Sequence, residues 1–144
     1  MTKKFLFTIA ALLLSIPTMA QSSTDSTKVF DWEPVMEAII WHESKGNPKT
    51  VCGPYVGVLQ ISPIMVKECN NILRQRGRSE RFTLNDRYSV EKSKEIFKLI
   101  MSKYNPENNI DKACRIWAGG IHYSVKKTQP FVNWVHRYME EHKK

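Results

Sequence analysis

The stretch Ile39-Ile40-Trp41-His42-Glu43-Ser44-Lys45-Gly46-Asn47-Pro48 places an acid at the exit of an apolar helix and then stops that helix. Upstream, Val35 and Ile39, with their neighbours Met36 and Ile40, recur at helical spacing, so the helix is expected to be largely buried. Asp31 is suited to cap it, and Glu33 and Pro34 are residues favoured in a first turn. Gly46 and Asn47-Pro48 end it near Ser44. A carboxyl at that exit, with apolar turns behind it, is expected to be partly desolvated, which favours the protonated form that a general acid needs. The competing reading is a surface glutamate, although the end of a helix favours cations over carboxylates.

Outward from this stretch the pattern stays helical. A loop holding Gly53, Pro54 and Gly57 leads to Ser62-Pro63, a cap followed by proline at the first helical position. Ile64, Met65, Cys69, Ile72 and Leu73 mark the expected buried side, and Gly77 ends that helix. Ser89 opens a third, with Val90, Ile96, Phe97, Ile100, Met101 and Tyr104, stopped by Asn105-Pro106. Asp111 is expected to cap a fourth that carries Ala113, Ile116 and Trp117 and closes at Gly119-Gly120. Thr128 and Pro130 are expected to open a fifth, with Phe131, Trp134, Val135, Tyr138 and Met139 on one face. No repeat and no convincing strand alternation is visible. The expected class is all-α with at most a minor sheet.

The chain has 144 residues, enough for one domain. Lys3 and Lys4, the apolar run from Phe5 to Ile16, and Thr18 and Ala20 compose an export leader cut after Ala20, which implies a periplasmic or secreted protein. That run is too short to span a bilayer, and no later segment offers a transmembrane anchor. Residues 21–32 are expected to form a polar, Ser/Thr-rich tail, and residues 33–144 the domain. The formal charge of +8, of which Lys3 and Lys4 supply two, suits an anionic partner or simple solubility. The basic residues are scattered apart from a denser stretch between Arg74 and Arg87, and no nucleic-acid-binding signature accompanies them, which argues against nucleic acid. Cys52, Cys69 and Cys114 contain no CxxC and suggest no metal site. An oxidising compartment would permit one disulfide among them, with the pairing open.

The segment Gly57-Val58-Leu59-Gln60-Ile61-Ser62-Pro63 follows Glu43-Ser44 and Asn47-Pro48 at a spacing that resembles the catalytic core of soluble lytic transglycosylases, of the lysozyme-like superfamily. Ala113-Cys114-Arg115-Ile116-Trp117-Ala118-Gly119-Gly120 is similar to that family's Ala-x-x-x-Tyr-Asn-x-Gly segment. Thr128, Phe131, Trp134 and Val135 resemble its closing helix. The resemblance covers residues 33–142. It implies a compact lysozyme-like helical domain with a groove over Glu43. It further implies that Glu43 is the single catalytic acid/base, that Ser44 supports it, that Gln60 lines the glycan groove, and that Gly57 lets its loop approach the sugar. Trp117 and Ala118 depart from the family's tyrosine and asparagine. An indole can donate one N–H to the acid or wall it off from water, and the Ala118 side chain can neither donate nor accept.

The implied reaction is cleavage of the bond between N-acetylmuramic acid and N-acetylglucosamine in peptidoglycan, with closure of a 1,6-anhydro ring and no cofactor or metal. The implied partners are the glycan strands, with a role in wall remodelling or in opening the wall for a secretion or conjugation machine. Two alternatives stand beside it: a secreted muramidase of the same fold, and a catalytically weak wall-binding protein. A hydrolase would call on an aspartate to activate water, and Asp86 and Asp111 are the candidates, though each also suits a cap or a loop ion pair. His42-Glu43 does not open a zinc motif, because Gly46 stands where a histidine would be needed. Cys52 with His122, His136 or His142 lacks a recognisable nucleophile helix, which disfavours a cysteine peptidase. His42 is expected to be a partly exposed neighbour. Trp32, Trp41 and Trp134 are expected in the core, with one of them free to stack on a sugar ring.

Overall fold

The computed structural model describes residues 29–143, so the expected leader and most of the expected tail lie outside the described residues. Among the described residues are five α-helices and a two-stranded antiparallel hairpin, which makes the fold all-α with a minor sheet. None of these helices is long and apolar enough to cross a membrane.

The first helix, α1 (Glu33–Ser44), buries Val35, Met36, Ala38 and Ile39, so it enters the core on a broad face. Its N-cap position is Trp32, not Asp31; Asp31 Oδ1 instead accepts from the Glu33 N–H at 2.9 Å. Trp32 is buried and packs edge-on to Phe97 at 5.5 Å, with Phe30 against it at 4.6 Å. The last residues assigned to a polar tail therefore belong to the core. Lys45 closes α1 in the left-handed conformation at φ 54°, and the chain turns away through Gly46.

The hairpin pairs β1 (Val51–Cys52) with β2 (Tyr55–Val56), and a bridge from Val56 to Ile61 folds the next turn back on it. Ser62 then caps α2 (Pro63–Gln75), its hydroxyl accepting from the Met65 N–H. Val66, Cys69, Ile72 and Leu73 face inward, whereas Ile64, expected to be buried, is 79% exposed. Ile64 instead lines a surface recess together with Met65, Glu68 and Tyr104.

A 3-10 turn (Leu84–Tyr88) leads to α3 (Val90–Tyr104), capped by Ser89 through the Lys92 N–H and burying Ile96, Phe97, Ile100 and Met101. The fourth helix, α4 (Ile110–Gly119), begins one residue before Asp111. Asn109 caps it, accepting from the Lys112 N–H at 2.8 Å, while Asp111 reaches His136 Nε2 at 2.6 Å. The last, α5 (Val125–Glu141), starts at Ser124, earlier than Thr128 and Pro130 suggested, so Pro130 lies inside it. Its first turn is held from outside. Buried Arg115 donates to the Val125 carbonyl at 3.0 Å and to Thr128 Oγ1 at 3.1 Å, and the Thr128 hydroxyl donates to the Ser124 carbonyl. With α4 packed on α5, α5 on α1 and α2 on α3, the ends of α1 and α4 converge on the hairpin.

Candidate active site

A groove of about 540 Å³ opens where those ends meet. Its residues come from three sequence-distant segments: Glu43 from the end of α1, Cys52, Tyr55, Leu59 and Gln60 from the hairpin and its turn, and Ile116 to Gly120 from the end of α4. Ser62 and Met65 complete it. Glu43 is the one carboxylate among the described residues that line it. Its side chain is 27% exposed, and Oε1 lies 3.5 Å from Nδ1 of His42, which is itself partly exposed as expected. The His42 ring is wedged between the edges of Phe131 and Trp134.

Three sequence-chosen residues meet in the groove: Glu43, Gln60 and Trp117. Gln60 holds its own wall together. It sits in the left-handed conformation at φ 50°, and its Nε2 donates to the carbonyls of Thr50 at 3.1 Å and Gly57 at 2.9 Å. A non-glycine residue there carries a conformational cost of the order of 1 kcal/mol, which those two bonds offset. Trp117 lines the groove beside Phe97, and its Nε1 donates across to the Leu59 carbonyl at 3.2 Å, not to Glu43. Of the two roles open to the indole, the structure favours the wall.

Ser44 and Gly57 do not line the groove. Ser44 is buried behind it, where its hydroxyl donates to the Val58 carbonyl at 2.9 Å and lies 3.1 Å from the Ile40 carbonyl. It also accepts from the Gly46 N–H. The residue after the acid thus bolts the end of α1 to the hairpin turn. Gly57 is buried at φ 83°, and a Cβ there would stand 1.8 Å from the Arg87 carbonyl oxygen. Its lack of a side chain serves the approach of the turn to the 3-10 segment, not the approach of a sugar.

Arg87, noted in the sequence only as the end of a basic stretch, completes this wall. It is buried, and its guanidinium donates to the carbonyls of Leu84, Pro54 and Ile61 at 2.8, 3.1 and 3.2 Å. Asp86 caps its own turn by accepting from the Thr83 N–H at 2.6 Å. Both aspartates considered for a hydrolase are therefore engaged outside the groove. Sequence reasoning missed Tyr55 and did not place Cys52 in the groove; both sit on strands of two residues each, too short for any periodicity to register.

All three cysteines are free. Burial pushes the thiols of Cys69 and Cys114 up to about 12, so both are inert at neutral pH. Cys52 is the exposed one, at the groove. No group of His, Cys, Asp and Glu side chains among the described residues is arranged to hold a metal ion. No protein-family model, no curated protein and no solved structure matches this chain.

Proposed function

We propose that this groove is the active site of an exported enzyme of the lytic transglycosylase type, which cuts the glycan strands of peptidoglycan with Glu43 as its single acid/base. The observation that carries the reading is convergence. Glu43, Gln60 and the Trp117–Gly120 segment, chosen for their order along the chain, line one groove of oligosaccharide-compatible size in which Glu43 is the lone carboxylate among the described residues. A single-acid reaction needs no more than that.

In the proposed reaction Glu43 donates its proton to the oxygen bridging N-acetylmuramic acid and N-acetylglucosamine. As the C1–O bond breaks, the substrate's own acetamido oxygen bonds to C1. The Glu43 carboxylate then takes the proton of the muramic 6-hydroxyl, whose oxygen displaces the acetamido group and closes the anhydro ring. Glu43 ends protonated and ready for the next bond. Water is not consumed, so the product is one water lighter than a hydrolytic fragment. The engagement of Asp86 and Asp111 elsewhere supports this route over a muramidase that uses one of them.

One observation favours a weaker cutter that mainly binds the wall. The Trp117 N–H is engaged by Leu59, and Ala118 offers no polar side-chain atom, so α4 brings the substrate no side-chain hydrogen bond beside Glu43. Digesting purified peptidoglycan and weighing the released muropeptides separates the readings. Anhydro ends support the transglycosylase and reducing ends the hydrolase; sedimentation with the wall and no release supports the binding protein. Glu43→Gln should abolish release with the helical circular dichroism intact. A variant that still cuts would remove Glu43 from its role.

A further inference from the structure

A second feature is built on the exit of α1 and on α5. Trp41 is 46% exposed, and Lys45 Nζ lies 5.2 Å from its ring centroid. From α5, Trp134 stacks on Tyr138 at 5.3 Å between centroids, and Tyr138 stacks on His142 at 3.9 Å. Trp41, Lys45, Trp134, Arg137 and Tyr138 line a shallow recess of about 270 Å³, with Glu141 and His142 also at its edge. His42 joins this recess to the groove: its ring centroid is 4.8 Å from that of Trp134, and its Nδ1 is 3.5 Å from Glu43.

Lys45, Arg137 and Glu141 have no ion-pair partner among the described residues. An exposed indole between free charges has a distinct chemistry. The ring favours an apolar face laid against it, while the charges around it penalise a partner that is apolar throughout. A sugar ring satisfies both demands, since its C–H face stacks and its hydroxyls reach outward to the charged groups. A carboxylate of the peptide stem carried by that sugar unit would meet Lys45 or Arg137. Glu141, set among the cations, works against a uniformly charged phosphate backbone.

We propose that this recess is a second glycan-binding face, which takes sugar units bearing acidic peptide stems of the wall polymer and tethers the strand beside Glu43. The identity of the polymer rests on the reading of the groove given above. The face itself is distinct from that groove, shares no lining residue with it, and is joined to it through His42.

Co-sedimentation of the protein with purified insoluble peptidoglycan tests the proposal. Trp41→Ala should weaken binding about tenfold, and Trp41→Phe should restore most of it, because a stacking face returns. Arg137→Glu, at an exposed position that disturbs no packing, should weaken binding about threefold and flatten its dependence on salt. Release of fragments from intact polymer should fall with the same variants. Equal binding by wild type, Trp41→Ala and Arg137→Glu would overturn the proposal. So would a preference for anionic phospholipid vesicles or single-stranded RNA over the wall. If wild type releases no fragments while sedimentation still depends on Trp41, the cleavage reading falls and the binding face stands.

Discussion

The two walls of the groove are built on opposite plans. On the hairpin side, side chains from four places tie down backbone carbonyls: Ser44 holds Val58, Trp117 holds Leu59, Gln60 holds Thr50 and Gly57, and Arg87 holds Pro54 and Ile61. On the helical side, Ile116, Ala118, Gly119 and Gly120 present shape and almost no side-chain polarity. That wall is kept small by packing behind it, since a Cβ on Gly119 would stand 2.9 Å from both Thr128 and Tyr123. The difference assigns the walls different tasks. A wall whose own polar groups are cross-linked holds Gln60 and Tyr55 at a fixed distance from Glu43, whereas the bare wall admits a ligand without gripping it.

The sharpest way to break the contrast is Gly57→Ala. Two faults combine at that position, a left-handed backbone and a Cβ driven into the Arg87 carbonyl, which is backbone and cannot swing aside. The expected loss is about 3 kcal/mol or more in denaturant unfolding, with muropeptide release falling alongside it. Unchanged stability would mean that the turn does not press on the 3-10 segment. Next in size is Arg87→Met. Similar in bulk, it leaves the carbonyls of Pro54 and Ile61 without their charged donor, at a cost of about 2 kcal/mol. Release should fall by more than stability alone explains, because Tyr55 and Gln60 lose their fixed positions. A variant that is destabilised but keeps its rate per folded molecule would show that the cross-links serve folding alone.

The bare wall can be tested by adding to it. Ala118 is exposed at the end of α4, so Ala118→Asn should leave stability within about 0.5 kcal/mol. An amide there gives the groove the hydrogen-bonding group that this wall lacks. One such bond, at about 1 kcal/mol, corresponds to about a fivefold gain in kcat/KM. No gain would mean that grip on that side does not limit the reaction.

The same division explains what the sequence could and could not disclose. Helices whose signals are local were legible: the caps at Ser62 and Ser89 lie where side-chain chemistry puts them, and Gly46 and Asn105-Pro106 stop their helices. The misplaced starts came from tertiary partners. Asp111 answers to His136 on another helix, leaving the cap to Asn109, and the first turn of α5 is secured by Arg115 rather than opened by Pro130. At the site, the order of Glu43, Gln60 and Trp117 along the chain marked residues that do meet. It could not distinguish a residue facing the groove from one bracing it. Ser44 and Gly57 stand beside groove residues in sequence yet point into packing, where their partners, Val58 and Arg87, are set by how the turn folds back.

The smallest effect concerns what lies behind the bare wall. Glu68 and Tyr104 line a recess that shares Ile116, Gly119 and Gly120 with the groove. The Lys103 ammonium, at 2.7 Å, and then the Tyr104 hydroxyl, at 2.6 Å, hold the Glu68 carboxyl below its usual range. A carboxyl depressed in the folded state stabilises the fold above its unfolded pKa of roughly 4.3, and that contribution disappears as pH falls through the folded value. Glu68→Gln should therefore be less stable than wild type at pH 7 by no more than about 1 kcal/mol, since the cluster is partly exposed. The gap should close as the pH is lowered from about 5 to below the folded pKa. Denaturant unfolding at several pH values reads it directly. A gap that stayed constant on acidification would mean that the ammonium and hydroxyl contribute packing rather than charge. The bare wall would then owe nothing to ionic support and would rest on Gly119 against Thr128 and Tyr123.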